Sequence, residues 1–316
     1  MMVGRGRAVL GLALVCGSFA VGCGSAGDSE LGDSTQDVKG TVYANLYDVL
    51  QGTDFNDWIT ARNTLKNDFY QICGDTMCAG DFRNWNTVTL DCSASRNTKK
   101  MSQCLWTFAG SQEFVSGYSG KVTADIPVIT CTIPVKGTAS DFVKALKASA
   151  LRPAIQSIVP GGTKTYYDYV ADCFQNVPEK IPAPTKTQTY HNASVTLGDD
   201  NPDSWYPGVG KIDDSFDQIC GDTFCEGDYT DIDALGFECA VSNAGNVKNC
   251  SLSLAGAYTE VGSYGVITAH TKTWTCPISF AGKTATLVGF LAGADPYNAT
   301  LPGSTTTIHD ALVDCL

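Results

Sequence analysis

Residues 71–82 read QICGDTMCAGDF, and residues 218–229 read QICGDTFCEGDY. Nine of the twelve positions are identical at an offset of 147. Identity this dense at a fixed offset marks a repeated unit, because repeats keep the residues that set turns and cross-links. The register runs outwards from the segment on both sides. Trp58 answers Trp205, Leu65 answers Ile212, Phe69 answers Phe216 and Ile72 answers Ile219. Cys73, Cys78, Cys92, Cys104, Cys131 and Cys173 are answered by Cys220, Cys225, Cys239, Cys250, Cys276 and Cys315. The offset falls from 147 to 142 along this series, as short loop deletions require. Ala109-Gly110 matches Ala255-Gly256, and Asp172-Cys173 matches Asp314-Cys315.

The sequence therefore predicts two tandem homologous modules, 41–176 and 199–316. Between them, 177–198 carries prolines at 178, 182 and 184 and a threonine-rich run, the composition of a semi-extended linker. Within the first module, Phe55, Trp58, Ile59, Leu65, Phe69 and Ile72 fall at helical spacing, which predicts a helix over 54–72 capped by Asp54 and stopped at Gly74. Strands are expected over 86–93, 102–109 and 122–135, with copies over 235–242, 249–258 and 264–280. Helices are expected over 139–149 and 164–173, with copies over 283–293 and 305–314. Each module then reads as α+β, a small half-buried antiparallel sheet with helices on one face, cross-linked by disulfides.

Composition sets the class. The chain has 316 residues, 43% hydrophobic and 17% charged, with a net charge of −12. That is too apolar for a disordered chain and too acidic for nucleic acid, whose phosphates need a basic surface. The N-terminus sets the compartment. Arg5 and Arg7 precede an apolar stretch from Ala8 to Val21, 14 residues long. A membrane-spanning helix needs about 20, so residues 1–22 read as a signal peptide. Residues 23–40 are small and polar, a flexible tether.

The stretch Phe19-Ala20-Val21-Gly22-Cys23 resembles the lipobox of bacterial lipoproteins. That resemblance implies cleavage before Cys23, acylation of Cys23 and anchorage in a bilayer. Ala20 stands where that motif usually has leucine; the alternative is cleavage after Ala26 and a soluble secreted protein. Together with the repeated I-C-G-D-T-x-C-x-G-D segment, the chain resembles envelope lipoproteins of myxobacterial type. The resemblance implies a place in the cell envelope, at the outer membrane, and no particular activity.

Six cysteines per module in an exported chain predict disulfides rather than thiolate metal sites. Cys92 with Cys104, and Cys239 with Cys250, flank turn-like residues and are expected to bridge a hairpin. The last cysteine of each module is expected to tie a terminal helix back to that module's first half. The repeated loop also offers Asp75, Asp81, Asp222 and Asp228 as oxygen ligands for Ca²⁺. Against this, glycine, Asp and Thr after a helix are turn-forming residues, and no cofactor is expected. His191, His270 and His309 have no counterparts in the other module, and no nucleophile or phosphate motif occurs. Tyr166, Tyr167 and Tyr169 offer a partly exposed aromatic cluster. The expected function is a binding or scaffolding module at the cell envelope, with an envelope protein or glycan as partner. The alternatives are a hydrolase with one site in the second module, built on His270 or His309, and a calcium-dependent adhesion module.

Overall fold

The structure, a computed structural model, describes residues 42–72, 82, 84–148, 153–175, 177, 188–200, 202–219, 229 and 231–316. Cys23, Cys73, Cys78, Cys220 and Cys225, and the calcium candidates Asp75, Asp81, Asp222 and Asp228, lie outside them. The described chain from residue 42 onwards is one compact α+β unit. Its first half contributes β1 (Tyr43–Asn45), α1 (Leu46–Val49), α2 (Gly52–Ile72), β2 (Asn86–Ser95), β3 (Met101–Ala109), β4 (Gln112–Val115), β5 (Val122–Asp125), β6 (Val128–Pro134), α3 (Ala139–Ala148) and α4 (Tyr166–Phe174). The second half contributes β7 (Tyr190–Asn192), α5 (Ala193–Asp200), α6 (Pro202–Ile219), β8 (Asp231–Ser242), β9 (Asn246–Val261), β10 (Ile267–Ile278), β11 (Gly282–Lys283), α7 (Thr284–Leu291) and α8 (Ile308–Val313).

Two antiparallel sheets result, one in the order β1-β2-β3-β6 and one in the order β10-β9-β8-β7 with β11 beside β9. β4 and β5 pair only with each other, as a hairpin. Strand alternation decides what each sheet buries. Leu90, Cys92 and Ala94 of β2 and Cys104, Trp106 and Phe108 of β3 form one core with Trp58, Leu65 and Phe69 of α2. Cys239 and Val241 of β8 and Leu252 and Leu254 of β9 form a second core with Trp205, Ile212 and Phe216 of α6.

The opposite faces are buried too. Thr87, Thr89, Asp91, Ser93 and Ser95 of β2 are covered, as are Ser251 and Ser253 of β9. The two sheets pack on each other through these faces, around a small apolar cluster of Val88, Ala109, Leu235, Ala255 and Ala257. This corrects the expectation of half-buried strands. Polar alternation normally marks a solvent face, but Ser, Thr and Ala are short enough for a second sheet to approach and bond to them. Thr259 Oγ1 donates to Asp91 Oδ2 at 2.6 Å, Asn86 Nδ2 donates to the Ala234 carbonyl at 2.6 Å, and Ser93 Oγ donates to the Gly265 carbonyl.

Each half also reaches over the other with a hairpin tip. The β4–β5 turn seats on the second half. There Tyr190 N–H donates to the Gly117 carbonyl at 3.0 Å and Asn249 Nδ2 to the Gly120 carbonyl at 2.7 Å. The β9–β10 turn seats on the first half, with Gly265 against Tyr43 and Ser102. Gly120 and Gly265 both hold positive φ, at 65° and 79°. A Cβ at Gly265 would stand 2.6 Å from the Tyr43 ring, so both conformation and contact require glycine there.

Several boundaries differ from the sequence reading. Residues 190–198, read as the end of the linker, form β7 and most of α5, because the prolines stop at 184 and Ala193 and Leu197 are core residues. The helix read as starting at Asp54 starts at Gly52, with Asp54 in its first turn. The single strand read over 122–135 is two, β5 and β6. Of the three tyrosines read as a partly exposed cluster, Tyr167 and Tyr169 are partly exposed beside the first core, while Tyr166 is fully buried within it.

Four disulfides are described. Cys92–Cys104 joins β2 to β3 and Cys239–Cys250 joins β8 to β9, the hairpin positions read from the sequence. Cys131–Cys173 joins β6 to α4, and Cys276–Cys315 joins β10 to the residues just after α8. The terminal helix is thus tied to the last long strand of its sheet, not to the module's first half, because that strand is what α4 packs upon. Among the described residues no helix is long and apolar enough to cross a membrane. Disulfides of this number are the bonds of an oxidising compartment.

α4 and α8 start in the same way, each with a capping box. Thr165 accepts from the Asp168 N–H at 3.0 Å while the Asp168 carboxylate accepts from the Thr165 N–H; Thr307 and Asp310 repeat this. We expect Thr165→Ala and Thr307→Ala each to lower stability by about 1 kcal/mol in urea denaturation. The backbone N–H of the capping threonine, then its hydroxyl, hold the Asp168 and Asp310 carboxyls below their ordinary pKa. Their contribution is therefore full at neutral pH and is lost as pH falls through the depressed folded-state values.

Candidate functional site

A pocket of about 530 Å³ opens between the two halves' elements, in the range that small-molecule sites occupy. Its floor is the stretch Leu235 to Glu238 of β8. Ser111 and the first residues of β4, Gln112 and Glu113, form one wall; α5 (Ser194, Val195) and α6 (Trp205, Tyr206) form the other. The floor is irregular, because the pairing of β8 with β9 slips between Ala234 and Gly236. A Cβ at Gly236 would lie 2.5 Å from Glu113 Oε1 and 2.8 Å from Ser111 Oγ. Glycine here lets the polar tips of β4 lie directly on the β8 backbone.

Asn192, the last residue of β7, fixes the wall to the floor. Its Oδ1 accepts from the Val115 N–H at 3.3 Å; its Nδ2 donates to the Glu113 carbonyl and to Glu238 Oε2, both at 2.9 Å. Glu238 is 3% exposed and sits behind this amide. Burial raises its pKa, against the pull of hydrogen bonds from Ser194, Asn192 and the Cys239 N–H. Its Oε1 accepts from the Ser194 and Cys239 N–H groups at 3.1 and 2.9 Å, and its Oε2 accepts from Asn192 Nδ2 and the Ser194 hydroxyl. Two oxygens offer about four lone-pair sites, and four donors fill them. Glu238 therefore anchors the first turn of α5 to β8 and has no acceptor left for a substrate proton.

The β4 wall is the reverse case. Ser111 is 2% exposed, yet among the described residues its Oγ has no hydrogen-bond partner, and Gln112 Oε1 and Glu113 Oε1 are also buried without one. Unpartnered buried acceptors are costly and call for an explanation. Among the described lining residues Glu113, Asp213 and Glu238 are acidic, and no Lys or Arg is present.

The residues singled out from sequence lie elsewhere. His270 stacks on Tyr258 at 4.6 Å and meets Glu260 at 3.3 Å on the far end of β9–β10. His309 is in α8 beside Tyr297, and His191 is in β7; none of the three lines the pocket. The calcium candidates fall outside the described residues, among which no group of three or more metal-ligating side chains occurs. Sequence reasoning missed Ser111, Glu113, Asn192 and Glu238. Only the residue before each hairpin cysteine, Asp91 and Glu238, carried a signal: an acid in a strand at both repeat positions.

Compared with models of known protein families, with characterised proteins and with solved structures, the chain matches none.

Proposed function

We propose that this chain is an exported binding protein of the bacterial cell envelope, held to the bilayer by acylated Cys23 and carrying its ligand in the pocket between β4 and α5–α6. The observation that carries the reading is a pocket of ligand size, lined by polar and aromatic side chains and held in shape by the saturated Glu238 carboxylate. Glu238 holds the site's shape, while the half-buried Gln112 and Glu113 and the exposed Tyr206 line it. Such a site is suited to holding a ligand. Hydrolysis needs a base within reach of a nucleophile, and no histidine lines this pocket. The signal-like N-terminus, the Cys23 motif and the disulfides support the envelope. The sequence repeat and the matching order of elements support reading the two halves as copies of one module.

Two measurements test this. Cells fed an alkyne-labelled fatty acid should label the protein, and Cys23→Ala should abolish the label and move the protein out of the membrane fraction. A wild-type chain without label would refute the anchor. A thermal-shift panel of organic cations, neutral sugars and carboxylates should yield ligands whose effect falls in Tyr206→Ala, a change at the exposed rim of the pocket. A panel with no shift, or shifts that Tyr206→Ala leaves unchanged, would refute the pocket.

A further inference from the structure

The two ends of the layer between the sheets are built alike and finished differently. β2 runs from Asn86, bonded to the Ala234 carbonyl, through Asp91, bonded to Thr259, to Ser93, bonded to the Gly265 carbonyl. The β2–β3 turn therefore lies at the end where the β9–β10 tip seats. The β8–β9 turn lies at the other, where Asn249 holds the β4–β5 tip through the Gly120 carbonyl. Each tip holds out a tyrosine. Tyr264 is 85% exposed and Tyr118 93%, more than any other large apolar side chain among the described residues.

The first-half end departs from its copy at the turn. Residues 96–100 read RNTKK, and residues 243–246 read NAGN. Arg96, Lys99 and Lys100 stand where Asn243, Gly245 and Asn246 stand. Lys99 holds φ at 57°, the one positive value outside glycine among the described residues, and Gly245 holds 70° at the same place. A lysine kept in the conformation that suits the copy's glycine is a strained residue, and such strain points to a use. Its Nζ donates to the Val49 carbonyl at 3.3 Å, which occupies one of three N–H donors. Lys136 adds a fourth exposed cation, two positions before Thr138, which bridges to Lys100. The acids nearby are Asp48, paired with Arg96, Asp141, bonded to Thr138, and Glu260, beside His270. Apolar side chains gather at the same end. Exposed Val42 gives its carbonyl to the Arg96 N–H at 2.8 Å, and exposed Val266 and Tyr264 flank Gly265, which packs on Tyr43. Val42 follows Cys23 by 19 positions.

Resting on the acylation of Cys23 proposed above, we propose that this end of the fold lies on the surface of a bilayer bearing anionic phospholipid. Arg96, Lys99 and Lys100 reach the phosphates. The Tyr264 ring, with Val42 and Val266, enters the headgroup zone, where amphipathic rings are favoured. The chain as a whole carries −12 and is repelled by the same lipid, so charge selects the end that docks. Nineteen positions of chain reach at most about 65 Å. The contact is then intramolecular, at an effective concentration on the order of millimolar, and a small patch suffices.

The test uses the acylated protein in vesicles of phosphatidylethanolamine with phosphatidylglycerol, or of phosphatidylcholine alone. Tyr264 and, in a second protein, Tyr118 are replaced by p-benzoylphenylalanine, and light-driven cross-links to lipid are measured. Position 264 should cross-link in the phosphatidylglycerol vesicles. Position 118 should not, although it is the more exposed and sits beside Lys121 and Lys248, because it belongs to the far end. The triple change Arg96→Asn, Lys99→Gly and Lys100→Asn copies the second-half turn and so keeps the fold. It should lower the yield at 264 roughly tenfold or more, as should phosphatidylcholine, since each cation at an anionic surface contributes about fivefold in binding. Flotation with the vesicles reads the anchor separately. A protein that floats but cross-links equally at 264 and 118, or whose yield at 264 ignores both the turn and the lipid charge, overturns the docked face and leaves the anchor standing. A protein that does not float overturns the anchor, and the docked face falls with it.

Discussion

Replacing Glu238 with leucine lowers the stability of the fold by about 2–6 kcal/mol, the cost of leaving two buried backbone donors unpaired at about 1–3 kcal/mol each. The carboxylate satisfies four donors. Two of them, the Ser194 and Cys239 N–H groups, belong to the backbone and have no rotamer by which to turn away. Leucine leaves these donors buried against hydrocarbon, and each orphan costs about 1–3 kcal/mol. Glu238→Gln keeps one oxygen and the shape, and so costs less. Urea denaturation of the three proteins at neutral pH ranks them wild type, Gln, Leu. A leucine variant as stable as wild type would show that the carboxylate's own desolvation cancels its bonds. The pH dependence gives a separate readout. Burial places the folded-state pKa of Glu238 above its unfolded value. The folded protein then binds this proton more readily, so the Glu238 contribution to stability increases as pH falls from the raised value to the ordinary carboxylate value. The Gln variant lacks that component.

Removing Cys131–Cys173 by a double Cys→Ser change costs about 4 kcal/mol, and removing Cys92–Cys104 about 3 kcal/mol, on the chain-entropy account. The first closes a separation of 42 residues and the second only 12. The longer loop loses more denatured-state freedom, hence the order. Both changes also leave buried hydroxyls among apolar neighbours, since Cys92, Cys104 and Cys131 are at most 1% exposed. Cys→Ala variants separate that polar cost from the loss of the bond. If the short bridge proves the more costly with alanine in place, loop closure is not the governing term.

Much of the fold was legible because period and punctuation agree. Phe55, Trp58, Ile59, Leu65 and Phe69 keep helical spacing, and α2 forms there. Alternating Leu90, Cys92 and Ala94 give β2 its core face. The short elements β1, α1, β7 and β11 were not legible, because 2–4 residues cannot display a period. Nor was the packing of sheet on sheet. Thr89, Asp91 and Ser93 read as a wet face, and only a partner surface carrying Thr259 and the Gly265 carbonyl makes them an interior. The site escaped for a related reason. Ser111 and Glu113 lie 127 and 125 positions from Glu238, and nothing local announces that β4 leaves its own sheet to lean on β8.

The seryl and threonyl character of the inter-sheet layer bears on how the chain survives its own synthesis. Chains emerge from the N-terminus, and a domain's early part waits unpaired until the later part arrives. Here β2 and β3 wait for a hairpin whose tip lies at Gly265, some 160 residues downstream of Gln103. An oily sheet held open that long is a template for aggregation. Thr87, Thr89, Asp91, Ser93 and Ser95 instead offer water a hydrated surface, which the second half then covers by exchanging solvent for hydroxyl and carbonyl partners. The unfinished molecule is kept soluble by the same residues that close the finished one.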